Sequence, residues 1–259
     1  MPIFGLGVYQ TGPGAGTANA VKWALEAGYR HIDTAALYAN EREVGAAVRA
    51  SGIPRDEIFV TTKLWNSDHG FDRALQAFGD SIATLGLDYV DLYLIHWPVE
   101  GLRADSWRAL EKLLDEGNTR AIGVSNYTVR HLEELLAQCH IPPAVNQVEF
   151  SPFLYQRELL EFCRSHGICL EAYSPLTKGC KLGDERLVAM AEKLGRSTAQ
   201  ILIRWAIQHD LVVIPKSADK KRIEENAAVF EFELGREDML YLDGLNENLH
   251  TSWDPTDAP

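Results

Sequence analysis

The chain of 259 residues is short of several things that would assign it quickly. No Gly-x-Gly-x-x-Gly follows its first strand-like run, and there is no Gly-x-x-x-x-Gly-Lys-[Ser/Thr], Gly-x-Ser-x-Gly or His-Glu-x-x-His. These absences disfavour a Rossmann dinucleotide turn, a P-loop, a serine-hydrolase elbow and a zinc-protease helix. Its 4 cysteines (Cys139, Cys163, Cys169, Cys180) include no Cys-x-x-Cys pair. They read as incidental thiols of a reducing, cytoplasmic compartment rather than a disulfide framework. Its 8 histidines are scattered, which argues against a catalytic metal. No uncharged apolar stretch reaches membrane-spanning length, and no basic segment followed by an apolar one opens the chain. Basic residues are outnumbered, 25 to 37, for a net charge of -12, so neither nucleic acid nor an anionic membrane is expected as a partner.

What is present is a rhythm. Short runs rich in Val, Ile, Leu, Phe and Tyr occupy 30–33, 58–63, 90–96, 120–125, 144–150, 168–173, 211–216 and 228–233. They are continuous rather than alternating, as strands of a parallel sheet covered on both faces are. Helical patterns fall at 17–28, 41–51, 70–85, 104–116, 128–138, 155–166, 197–209 and 218–227. Ser197 is placed to cap the seventh of these helices. No linker or change of composition divides the chain, so one domain is expected over 1–259. Strands and helices in strict alternation predict a (β/α)8 TIM barrel; an open doubly wound sheet is the alternative.

A barrel gathers the C-terminal ends of its strands around one site. Asp33, Lys63 and His96 each end a run, and Tyr38 lies in the connection after Asp33. A free phenol, with a pKa near about 10, is a reluctant acid at neutral pH, and a neighbouring ammonium should lower that value. Asp33 would hold Lys63 charged and aimed, and His96 could bond a carbonyl oxygen. The four together suit carbonyl reduction.

A second group is basic. Lys216, Lys220, Lys221 and Arg222 fall within seven residues after the seventh run, with Ser217 and Asp219 able to cap a helix. Barrels often bind phosphate in this region. Glu225 and Asn226, a turn further, could meet an adenine edge. At other strand ends stand Ser125, Asn126, Gln147, Tyr173 and Ser174, whose amides and hydroxyls suit a carboxamide and whose Tyr173 ring offers a stacking face.

The segments Gly5-Leu-Gly-Val-Tyr-Gln10, Gly28-Tyr-Arg-His-Ile-Asp-Thr-Ala35, Lys63-Leu-Trp65, His96-Trp-Pro98, Ile122-Gly-Val-Ser-Asn126, Asn146-Gln147, Ala172-Tyr-Ser-Pro-Leu176 and Ile214-Pro-Lys-Ser217 resemble the aldo-keto reductase family over nearly the whole chain. The chain is most similar to its short microbial branch, which includes 2,5-diketo-D-gluconate reductases. The resemblance implies a barrel that binds NADPH/NADP+ in extended form and reduces a small-molecule carbonyl substrate. It implies Tyr38 as acid–base, with Lys63 and Asp33 as tuning partners and His96 as carbonyl orienter. Ser125, Asn126 and Gln147 would hold the carboxamide under Tyr173. Ser174, Leu176, Lys216, Ser217, Arg222, Glu225 and Asn226 would hold the rest, with Lys216, Ser217 and Arg222 at the 2′-phosphate. Tyr9, Trp65 and Trp97 would line the substrate wall. A monomer is the family expectation. Relatives that serve as cofactor-binding regulatory or structural proteins supply the other reading of the same barrel. Family members usually begin with a β-hairpin; Met1 stands almost at Gly5, so a shortened or absent hairpin is expected. The connections at Val99–Ala104 and Thr177–Asp184 and the tail after Gly244 are short, which predicts an open pocket.

Overall fold

The computed structural model describes residues 1–12 and 14–258. Eight parallel strands form one sheet in sequence order: β1 Leu6–Gly7, β2 His31–Asp33, β3 Phe59–Leu64, β4 Leu92–Ile95, β5 Ile122–Ser125, β6 Val145–Glu149, β7 Cys169–Tyr173 and β8 Val212–Val213. The sheet curls until its edges meet. Parallel bridges join Phe4 to Val213 and Gly7 to Lys216, and Gly5 N–H donates to Val213 O at 2.9 Å. The architecture is therefore the (β/α)8 barrel.

The eighth strand is not where the apolar pattern puts it. Residues 228–233 form a 3₁₀ turn, Ala228–Phe230, followed by irregular chain. Val229 is buried there, but its carbonyl accepts from Arg204 Nη1 on a helix instead of joining a ladder. The missing strand is β1. It is two residues long, one of them Gly7, and follows Gly5, so it carries no propensity signal. Close approach explains those glycines: a Cβ on Gly5 would come 2.8 Å from the His31 ring, and one on Gly7 would come 2.9 Å from Ile214 O. A side chain at either position would force the facing backbone or ring to shift.

Outside the strands lie α1 Ala15–Glu26, α2 Glu41–Ala50, α3 Phe71–Leu85, α4 Arg103–Asp115, α5 Val129–Leu136, α6 Arg157–Ser165, α7 Glu185–Leu194, α8 Thr198–Gln208, α9 Lys220–Ala227 and α10 Arg236–Asp243. Helices α7 and α10 were not expected; α7 extends the connection between β7 and β8, and α10 follows α9. The Ser197 cap is present as a capping box with Gln200, which lets α8 enter the core with Ile201 to Ile207 buried.

Most of the aliphatic core lies between strands and helices. The barrel interior grades from apolar to charged. A small cluster of Leu92, Leu94 and Val145 fills one level. Alternation along the strands also turns His31, Asp33, Lys63, Gln147 and Glu171 inward, all buried. That polar layer leads to the mouth.

Candidate active site

Tyr38 sits on a 3₁₀ turn, Ala36–Tyr38, just beyond β2. Ala39 ends the turn in the left-handed region, at φ 53°. Asn40 pins the turn to the barrel, accepting from Thr34 Oγ1 at 2.7 Å and donating to Val8 O at 3.0 Å. So anchored, the Tyr38 hydroxyl lies 3.4 Å from Lys63 Nζ.

Lys63 is fully buried, and its ammonium has three neighbours. It donates to Asp33 Oδ1 at 2.7 Å and to Thr34 O at 2.9 Å, with Tyr38 the most distant. The His96 ring meets Tyr38 edge-on, with centroids 5.6 Å apart, and Trp65 edge-on at 5.2 Å. The structure therefore brings Asp33, Tyr38, Lys63 and His96 together at the mouth, beside Tyr9, whose ring is 4.9 Å from that of Tyr38.

Electrostatics corrects one expectation. Burial, then the Asp33 charge, pushes the Tyr38 phenol well above its ordinary value. The lowering by Lys63 does not prevail, because the ammonium is already neutralised by Asp33 at closer range. The phenol thus keeps its proton at neutral pH. His96 moves the other way. Burial and then Lys63 hold it well below the usual imidazole range, so it is neutral. Its Nδ1 is enclosed without a partner.

Along the mouth, Asn126 and Ser174 follow β5 and β7 in the left-handed region, at φ 64° and 48°. Such backbone at strand ends in a site is strain that the surrounding fold must hold. Asn126 Nδ2 donates to His96 O at 3.0 Å and to Ser125 Oγ at 3.1 Å, while its Oδ1 accepts from Tyr173 OH at 2.8 Å. Ser125 at the end of β5, Asn126 just after it, Gln147 on β6 and Tyr173 at the end of β7 thus lie on neighbouring elements, with Ser125 Oγ also donating to Gln147 O at 2.8 Å.

The basic group lies beyond β8. Asp219 caps α9 by accepting from Arg222 N–H at 2.9 Å, and Ser217 Oγ accepts from Asp219 N–H at 3.2 Å. Lys220 pairs with Glu224, at 3.7 Å. Lys216 and Arg222 are exposed and have no ion-pair partner among the described residues. Asn226 is buried, Glu225 is half-buried, and Leu176 is half-buried at the start of the turn after β7.

Three contributors, Glu171, Glu149 and Trp253, are missed by the sequence reading. Glu171 accepts from Gln147 Nε2 at 2.9 Å, inside the barrel. Glu149 accepts backbone N–H from Thr251 and Ser252, each at 3.0 Å. This strap brings the exposed Trp253 over half-buried Trp97, with ring centroids 5.6 Å apart. The tail, short as it is, therefore reaches the mouth. A charge within the run Cys169-Leu-Glu-Ala-Tyr173 was the one available hint to Glu171.

The family model for the aldo/keto reductase family matches residues 4–247. The chain belongs to that family. A Trypanosoma cruzi protein named 9,11-endoperoxide prostaglandin H2 reductase is 53% identical over 98% of this chain and 91% of its own length. A glyoxal reductase of Bacillus subtilis is 52% identical over 96% of this chain and 90% of its own length. Among solved structures, MGS-M4, an aldo-keto reductase from a Medee basin deep-sea metagenome library, superposes with a TM-score of 0.97 at 46% identity, covering 100% of this chain and 96% of that one. The protein is thus an aldo-keto reductase by family and by fold, an oxidoreductase class that generally uses a nicotinamide cofactor. Among the described residues no helix is long and apolar enough to cross a membrane, and no group of three or more His, Cys, Asp or Glu could hold a metal ion.

Proposed function

We propose that this aldo-keto reductase reduces aldehydes and ketones with NADPH, using Tyr38 as the general acid. The observation that carries the reading is the buried Asp33–Lys63 pair with the protonated Tyr38 hydroxyl 3.4 Å from the ammonium.

The residues present fit the cofactor. Ser125, Asn126 and Gln147 offer both donors and acceptors to a carboxamide, and Tyr173 stands beside them on β7. Lys216 and Arg222 are cations without an ion-pair partner among the described residues, in a chain of net charge -12, with buried Ser217 between them in sequence. That favours a cofactor carrying an additional phosphate. NADPH, when bound, supplies the hydride to the carbonyl carbon.

The protein's own groups manage the oxygen. Because its Nδ1 is enclosed without an acceptor, neutral His96 is best served by carrying its proton on Nε2, where it can donate to a carbonyl. Tyr38 gives its proton to the oxygen as negative charge develops there. Lys63 then stabilises the phenolate left behind, an interaction that strengthens only as the reaction proceeds. Trp65, Trp97 and Tyr9 form apolar walls that exclude water. The glyoxal reductase similarity favours small aldehydes among the substrates.

The test is Tyr38→Phe. A positioned general acid contributes roughly 10²–10⁴ in rate, so turnover should fall about a thousandfold with NADPH affinity retained. Turnover within a few-fold of wild type would remove Tyr38 from the mechanism.

A further inference from the structure

We propose that Glu171 is a positioning residue which, together with Asp33, takes both N–H groups of the Gln147 amide and so sets the face that Gln147 presents to a nicotinamide carboxamide. The proposal rests on the NADPH reading above.

The geometry is specific. Gln147 Nε2 has two protons, and its two acceptors are both carboxylates: Asp33 Oδ2 at 2.8 Å and Glu171 Oε2 at 2.9 Å. All three side chains are buried. With both donors committed inward, the amide oxygen is what remains for a ligand, and a primary carboxamide has N–H groups to give it. Gln147 and Glu171 are register partners on β6 and β7, so the pairing is built into the sheet. Alternation puts Tyr173 on the same face as Glu171, two residues nearer the mouth and roughly 7 Å along the strand.

Two carboxylates about one amide need charge control. Lys63 neutralises one of them, Asp33. Burial, followed by the Asp33 charge, raises Glu171 to about 8. The groups facing Glu171 are His31 and Asp33 on β2, Tyr38 on the turn after β2, Lys63 on β3, Gln147 on β6 and Cys169 on its own strand. His31 Nε2 lies 3.6 Å from Glu171 Oε1, too far for a hydrogen bond, and burial lowers this imidazole to about 3, so it is neutral. Glu171 thus serves as a neutral acceptor at physiological pH and leaves the Asp33–Lys63 pair balanced.

The experiment compares Glu171→Leu and Glu171→Gln with wild type in binding NADP+ and adenosine 2′,5′-bisphosphate, which lacks the nicotinamide. Titration calorimetry reads both without turnover. Glu171→Leu removes the acceptor and should weaken NADP+ about tenfold while leaving the bisphosphate unchanged. Glu171→Gln keeps an acceptor oxygen and should bind NADP+ within two- to threefold of wild type. Unchanged NADP+ affinity in Glu171→Leu, or equal loss of both ligands, overturns the proposal. Should Glu171→Leu not fold, side-chain amide exchange at Gln147 in wild type decides: both protons should be protected, and fast exchange of either overturns it. Failure of wild type itself to bind NADP+ would instead overturn the cofactor reading.

Discussion

Lys63 and Asp33 form an ion pair of 2.7 Å closed off from solvent inside the barrel. Desolvating two ions consumes most of the attraction between them, so the pair adds little net stability. Losing one member is different, since it strands the other charge. Asp33→Asn should therefore destabilise the fold by about 3 kcal/mol in urea unfolding, and turnover should fall because the freed ammonium is no longer aimed. A variant as stable as wild type would mean that Lys63 is not held as an ion pair.

Glu171 makes stability depend on pH. It is raised to about 8 in the fold from an ordinary value of 4.5. Between those values unfolding releases a proton, so stability falls as pH rises, by at most about 1.4 kcal/mol per unit. His31 acts oppositely. Its folded value of about 3 means that unfolding takes up a proton below 6.5, and stability falls as pH drops below 6.5. Glu171→Gln removes only the first effect. Its stability relative to wild type should climb from pH 5 to pH 8 in urea titrations; a constant difference would show that Glu171 is ionised in the fold.

The proposed function makes Arg222 and Lys216 the groups that would distinguish NADPH from NADH. Arg222→Ala should raise the KM for NADPH about tenfold and leave that for NADH nearly unchanged, since a charged contact to an additional phosphate is lost. Equal effects on both cofactors would move the phosphate site elsewhere.

Glu149 ties the tail to the mouth. Glu149→Ala should free the backbone N–H groups of Thr251 and Ser252 and lift Trp253 off Trp97. Near-ultraviolet circular dichroism should lose intensity from the indole pair, and KM for small aldehydes should rise two- to fivefold as the wall opens. An unchanged spectrum would show that the tail is held by other contacts, such as Lys178 Nζ to Thr251 O at 2.6 Å.

How legible the protein was in its sequence varies by element. Strands β2 to β8 fall on seven of the runs read from Val, Ile, Leu, Phe and Tyr, with β3 reaching one residue further to Leu64, because parallel strands covered on both faces advertise themselves. The run at 228–233 misled because burial of Val229 against a helix looks, residue by residue, like burial in a strand. Strand β1 was silent because glycine near it serves close approach, and close approach has no local signature. Helix α7 went unread, although Asp184 caps it by accepting from Arg186 N–H at 3.1 Å.

The sequence by itself determined the alternation of elements, the family, and the ends of runs that carry Asp33, Lys63 and His96. Periodicity and short motifs record these, and both are local. Only the tertiary structure decided that the phenol pKa is raised and not lowered, that β1 closes against β8, and that Glu171 and Glu149 lie where they do. Gln147 meets Asp33 across 114 residues of chain, and Thr251 meets Glu149 across 102. Contacts that distant exist only once the barrel has curled, and burial inside it then raises Glu171 and the Tyr38 phenol.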